Sequence, residues 1–291
     1  MEFAHLSQRL FNVPLAIHPR KAEIVMAALA DRLGITHISR IQSRSLSPMA
    51  MWDDDADFGA PKPSPRKGYD LVANVAVISV SGTLVQKLGT LRPYSGMSGY
   101  DGIRQNFLTA LADPEAKAIV LDVDSPGGEV SGCFDLVDTI YQARGTKPIW
   151  AICDEVAFSA AYAIASAADH ITVPRTGGTG SIGVIAMHLD WSKALADSGL
   201  QVTIINYGDR KADGAPEIPL SAEALERFQA DIDAMGELFV NTVARNRSLE
   251  PDQVRATQAA TFLGQLGVDE GLADAVMPPD AAFLALLDTL G

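Results

Sequence analysis

Basic residues are in short supply. The 291 residues carry 23 Lys and Arg against 36 Asp and Glu, a formal net charge of −13. A nucleic-acid binder needs a basic face to displace the counterions of phosphate, and an anionic membrane surface would repel such a chain. Cysteine is scarcer still. Cys133 and Cys153 are the only two, which excludes a disulfide framework and fits a reduced, cytosolic setting. No His or Cys pair has ligand spacing, so neither a metal nor a cofactor is expected. Long apolar runs are missing as well. The stretch from Val156 to Ala168 is short, rich in alanine and ended by Asp169 and His170, below the length of a membrane span. The opening "MEFAHLSQRLFNVPLAIHPRK" has no basic start followed by an apolar block, and no signal peptide is expected from it.

What is present is enough apolar material for a sizeable core: hydrophobic residues make up 47% of the chain, and a chain of this length buries most of them. Residues 1–46 form a first unit, a helical N-terminal arm in which "HPRKAEIVMAALADRLG" has near-helical apolar spacing and Gly34 as a stop. Residues 47–68, "SPMAMWDDDADFGAPKPSPRKG", are acidic and then proline-rich, the composition of a flexible linker. From residue 69 to 291 strands and helices alternate. "VANVAVISVSGTL", "AKAIVLDVDS", "KPIWAICDEVAFS", "HITV" and "QVTIIN" read as strands. "GYDGIRQNFLTALADP", "VSGCFDLVDTIYQAR", the alanine run after Ser159, "WSKALADSGL" and "LSAEALERFQADIDAMGELFVNTVARNR" read as helices. That order predicts an α/β fold around a largely parallel sheet. In the last helix Leu225, Phe228, Ile232, Met235, Phe239 and Val243 recur every three or four residues, a stripe for core or for subunit contact.

Catalytic groups in such folds collect beyond the carboxyl ends of the strands. Three stretches lie there. "DSPGG" offers the backbone of Gly127 and Gly128, with no side chain to hold a ligand off. Ser159 stands where a strand gives way to the alanine helix. It reads either as an N-cap or as a nucleophile beside unpaired N–H groups. "YGDRKADGAPEIPLS" carries Lys211 on a loop rich in Gly and Pro. Lys211 reads either as a solvated charge or, in a dry pocket, as a base. A Ser–His–Asp triad is the competing arrangement, and His188 is the histidine whose position suits it. His170 ends the serine's own helix, roughly 15 Å away at helical rise. "RTGGTGSIG" opens no helix after a first strand, so the dinucleotide fingerprint lacks its context.

"DSPGG", "AFSAAYAIASAAD", "TGSIGV", "YGDRKADGAP" and "FLGQLGVDEGLADAV" occur in this order, and together they resemble the signal peptide peptidase A family of serine proteases. "FNVPLAIHPRKAEIVMAALADRLGI" and "VSGTLVQKLGTLRPYSGMSGYDGI" look more like its lambda-type phage capsid-assembly branch. The resemblance implies a Clp protease/crotonase-like spiral of strand–helix units, a homo-oligomer and a Ser–Lys dyad. By motif position it assigns the nucleophile to Ser159 and the base to Lys211, and an oxyanion hole to the backbone of Gly127, Gly128 and Ala160. It also implies protein substrates inside an immature phage head in the host cytoplasm: scaffold, portal or the protease itself. Two departures stand out. Relatives commonly have glycine soon after the serine, where this chain has Ala160 and Ala161. They often carry a C-terminal scaffold extension, where this sequence stops at Gly291. The alternatives are a bacterial cytosolic signal-peptide or oligopeptide peptidase and, from another class, an acyl-CoA-type enzyme or an inactive assembly factor on the same fold.

Overall fold

The computed structural model of the protein describes residues 13–19, 21 and 67–291. The chain divides into two compact units, Met1–His18 with Gly68–Gly291, and Pro19–Lys67. The helix expected in the arm and the linker expected up to residue 66 lie outside the described residues.

In chain order the strands are β1 (Leu15–Ile17), β2 (Asp70–Val72), β3 (Val75–Ser81), β4 (Thr83–Val85), β5 (Met97–Gly99) and β6 (Ala118–Ser125). They continue with β7 (Gly127–Glu129), β8 (Ile149–Phe158), β9 (His170–Val173), β10 (Gly178–Gly180), β11 (Thr261–Leu263) and β12 (Ala275–Val276). The helices are α1 (Tyr100–Ala112), α2 (Cys133–Gln142), α3 (Ala160–Ser166), α4 (Ser192–Asp197), α5 (Ala222–Arg247), α6 (Pro251–Ala256), α7 (Gln265–Asp269) and α8 (Pro279–Leu290).

The larger sheet runs β2–β3–β6–β8–β10–β11, with β9 also on β8 and β12 on β9. Its centre, β3, β6, β8 and β10, is parallel; β2 and β11 close the two edges antiparallel. This is the α/β architecture expected from the alternating pattern. β3 and β6 are buried along most of their length because helices cover both faces. α1, α2, α3 and α5 supply one core layer with Phe107, Leu136, Ile140, Ile164 and Phe239. α8 covers the other face, where Ala282 and Leu286 meet Val75, Val120 and Ile152. A smaller sheet, β1–β7–β4–β5, stands at the carboxyl end of β6. Leu15–Ile17, read from sequence as part of a helical arm, is therefore strand: its three residues pair antiparallel with β7.

α3 is short and every residue in it is buried. Alanine suits that position because a small side chain lets the helix backbone lie close to β7, β8 and α2. Buried helix ends need partners for their free carbonyls. Arg144 provides them, donating to the carbonyls of Ser166, Ala167 and Ala168 at 2.8, 2.9 and 2.6 Å. Asn246 of α5 donates to Ser166 Oγ at 2.9 Å, and Tyr162 Oη to the Leu272 carbonyl at 2.9 Å. The catalytic candidate at the other end of α3 thus sits on a helix held from three sides.

One expected element is missing. "QVTIIN", residues 201–206, forms no strand, and Ile205 and Tyr207 are 95% and 101% exposed. A β-rich sequence becomes a strand only where a neighbour takes its backbone hydrogen bonds, and the described residues supply none here. The apolar stripe of α5 splits in the same way. Phe239 and Val243 are buried, Phe228, Ile232 and Met235 are half-buried, and Leu225 is exposed.

Candidate active site

Ser159 follows directly on β8 and opens α3. Its backbone has φ 55° and ψ −122°. Such a conformation costs a non-glycine residue about 1–3 kcal/mol and persists only where the surroundings hold it. They do: the Ser159 N–H donates to the Gly180 carbonyl at 2.9 Å, and the Ser159 carbonyl accepts from Ala163 N–H at 2.9 Å. Ser159 is 1% exposed, yet its hydroxyl makes no capping bond to the helix. Instead it donates to the Gly183 carbonyl at 3.4 Å, long for a hydroxyl bond. The N-cap reading accounts for the position in the chain but not for the side chain, which is buried, strained and weakly engaged.

Ala160 and Ala161 are both fully buried at the start of α3. The first backbone bond back along the helix is the one from Ala163, so the N–H groups before it have no partner within the helix and carry the positive end of its dipole. The serine oxygen lies beside them.

β7 brings the two glycines to the same place. A Cβ on Gly127, where φ is 99°, would lie 3.0 Å from Ser159 Cβ, 3.0 Å from the Phe158 carbonyl oxygen and 2.2 Å from the Ala16 carbonyl oxygen. A Cβ on Gly128 would sit 1.8 Å from the Leu84 carbonyl oxygen. Both positions therefore exclude any side chain. The glycines differ in one respect. Gly127 N–H donates to Ser125 Oγ at 3.1 Å, and that hydroxyl donates to the Gly82 carbonyl at 2.6 Å. Gly127 thus shapes the turn, and Gly128 is the better placed of the two to offer its N–H to a bound carbonyl. Ser125 escaped the sequence reading because nothing local marks it as the brace of a glycine two residues later. Gly127→Ala is expected to destabilise the fold by about 2–4 kcal/mol, since it combines a positive φ with backbone contacts that cannot yield. Thermal unfolding of the variant measures it, and a change under about 1 kcal/mol would contradict the crowding described here.

Lys211 is not at this site in the single chain. It is exposed on a turn in which its N–H donates to the Gly208 carbonyl at 3.0 Å, and no hydrogen bond or ion pair joins its ammonium to Ser159. The loop is nevertheless fixed. Asp213 accepts two bonds from Arg227 of α5, at 2.7 and 2.8 Å, and the guanidinium holds that carboxyl below its ordinary range. The loop carrying Lys211 is thereby tied to the half of α5 whose apolar stripe is exposed or half-buried.

His170 lies away from the site: it packs on Trp150 at 4.1 Å between ring centres and lies 3.7 Å from Asp274; burial pushes its pKa down. The hydrogen bond that the Ser159 hydroxyl donates goes to a carbonyl, that of Gly183. Burial pushes the thiols of Cys133 and Cys153 up to about 12, which keeps both protonated and unreactive. No group of metal-ligating side chains occurs among the described residues. No described helix is long and apolar enough to cross a membrane.

The chain is 38% identical over 288 residues to the head-tail preconnector protein GP5 of Enterobacteria phage P21, covering 99% of this chain and 58% of that protein. It is 36% identical over 293 residues to the capsid assembly protease C of Escherichia phage lambda, covering 98% and 66%. It spans about two thirds or less of the length of these relatives. Among solved structures a mutant of ClpP1 from Listeria monocytogenes is similar, with a TM-score of 0.43 and 13% identity over 69% of this chain and 90% of the other. The family model for peptidase family S49 matches residues 142–289, a span that runs from the end of α2 through Ser159 and Lys211 to α8, and the chain belongs to that family.

Proposed function

We infer that this chain is a serine endopeptidase in which Ser159 is the nucleophile and Lys211 the base. The observation that carries this reading is the state of Ser159: buried, held at positive φ at the head of a buried helix, without a capping bond, and crowded against Gly127. A neutral lysine amine takes the proton of the Ser159 hydroxyl as its oxygen attacks a peptide carbonyl. The N–H groups of Gly128 and Ala160 receive the developing oxyanion, in a place from which water is largely excluded. The lysine ammonium then gives its proton to the departing amine, and the same lysine activates the water that releases the acyl group.

Lys211 reaches this site from a second copy of the chain. Three observations support that: the exposed lysine, the unpaired segment 201–206 with Ile205 and Tyr207 in solvent, and the half-covered stripe on α5. All three lie on residues 201–235, and apolar surface of this kind is what an obligate subunit contact covers. The relatives named a capsid assembly protease and a head-tail preconnector support phage head proteins as substrates; scaffold and portal are the ones we propose, with the host cytoplasm and the assembling head as the place of action. Mass spectrometry of scaffold and portal proteins incubated with this chain is expected to show defined cuts that are missing with Ser159→Ala. Intact substrates under both conditions would overturn the assignment to head proteins.

A further inference from the structure

The chain's own N-terminal segment lies beside Ser159 as an extended strand. β1 runs antiparallel to β7, with Leu15, Ala16 and Ile17 opposite Glu129, Gly128 and Gly127. On its other edge Leu15 exchanges both backbone bonds with Ile185, at 2.8 and 2.9 Å. The segment is therefore a strand laid between two walls, which is how extended peptides are bound through their backbone.

The register is informative. Val130 N–H donates to the Pro14 carbonyl at 3.4 Å, and His18 N–H to the Pro126 carbonyl at 2.8 Å. In an antiparallel pair the hydrogen-bonded positions alternate. Pro14 with Val130 and His18 with Pro126 are two such positions, and Ala16 with Gly128 lies midway between them. The Ala16 carbonyl thus faces the N–H of Gly128, the group best placed to receive an oxyanion. Its oxygen lies 2.2 Å, and Ser159 Cβ 3.0 Å, from one and the same point beside Gly127. Downstream, the His18 ring stacks on Phe158, the residue before the serine, at 5.3 Å. Ala16 itself is 1% exposed, so the space around the residue that presents this carbonyl is filled by a methyl group.

We propose that Pro14–His18 occupies the groove as a substrate does, with Ala16–Ile17 the bond presented to Ser159, and that the enzyme cuts its own chain there and selects substrates with a small residue at that position. This rests on the reading of Ser159 as nucleophile. Ser159 Oγ adds to the Ala16 carbonyl carbon and its proton passes to the lysine amine. The bond to the Ile17 nitrogen breaks as that nitrogen takes the proton back. The ester of Ala16 is hydrolysed by water, giving an Ala16 carboxylate and restoring the Ser159 hydroxyl. Removal of residues 1–16 then opens the groove to other peptides.

The test is intact-mass and N-terminal analysis of the full chain, wild type against Ser159→Ala, together with a synthetic peptide of residues 11–20. The expected result is a new N-terminus at Ile17 in the wild type only, cleavage of the peptide between Ala16 and Ile17, and a loss of at least about 100-fold in kcat/KM for a peptide carrying Ala16→Arg. A fluorophosphonate probe applied in parallel separates the two levels of the argument. Labelling of Ser159 with no cut at Ala16–Ile17 in chain or peptide overturns this proposal and leaves the peptidase reading standing. Absence of labelling at Ser159 after the groove has been freed by deleting residues 1–16 overturns both.

Discussion

Ser159→Ala is expected to abolish peptide cleavage, by at least about 10⁴-fold in kcat/KM, while leaving the stability of the fold within about 1 kcal/mol of the parent. Both halves follow from the same geometry. The hydroxyl contributes little to the fold: it caps no helix bond and donates only to Gly183 at 3.4 Å. The strain at φ 55° belongs to the backbone, and alanine inherits it unchanged. The residue's structural work is done by its N–H and carbonyl, through Gly180 and Ala163, and these survive the substitution. What disappears is the one oxygen that can attack. Activity assays with a labelled peptide, alongside denaturant unfolding, check both halves. An inactive variant that has also lost several kcal/mol of stability would instead mark Ser159 as a structural residue.

The second large effect concerns Lys211. Lys211→Ala and Lys211→Arg are expected to be equally inactive, each down by at least about 10³-fold, because a guanidinium keeps its proton at any working pH and cannot serve as a base. Neither should unfold the chain, since Lys211 is exposed and the neighbouring Asp213–Arg227 pair anchors the loop without it. Mixing is the sharper experiment. When Ser159→Ala and Lys211→Ala chains are refolded together, about a quarter of the sites formed between random neighbours hold both native groups, and activity returns in that proportion. No recovery from the mixture would place both groups in one chain. His188→Gln is expected to keep peptide cleavage, and loss of activity in that variant would replace the dyad by a triad.

Much of this molecule is local in origin. Runs such as "VAVISV" and "AIVLDV" are strands wherever helices can cover both faces, and β3 and β6 follow from their own residues. α2 and α5 follow likewise from apolar spacing of three and four. The placement of Ser159 and of the Gly127–Gly128 pair at strand ends was legible because a strand followed by a tight turn is a feature of short range. Other features had no local signal. Ser125 donating to the Gly82 carbonyl, Arg144 closing the end of α3, and Leu15–Ile17 lying along β7 each join residues distant in sequence or in strand order. "QVTIIN" shows the converse: β propensity with no strand partner among the described residues gives no strand. Periodicity and turn chemistry are properties of a few neighbouring residues, so the sequence carries them openly. Which carbonyl faces which N–H across the groove depends on a register closed over more than a hundred residues, and only the folded chain decides it.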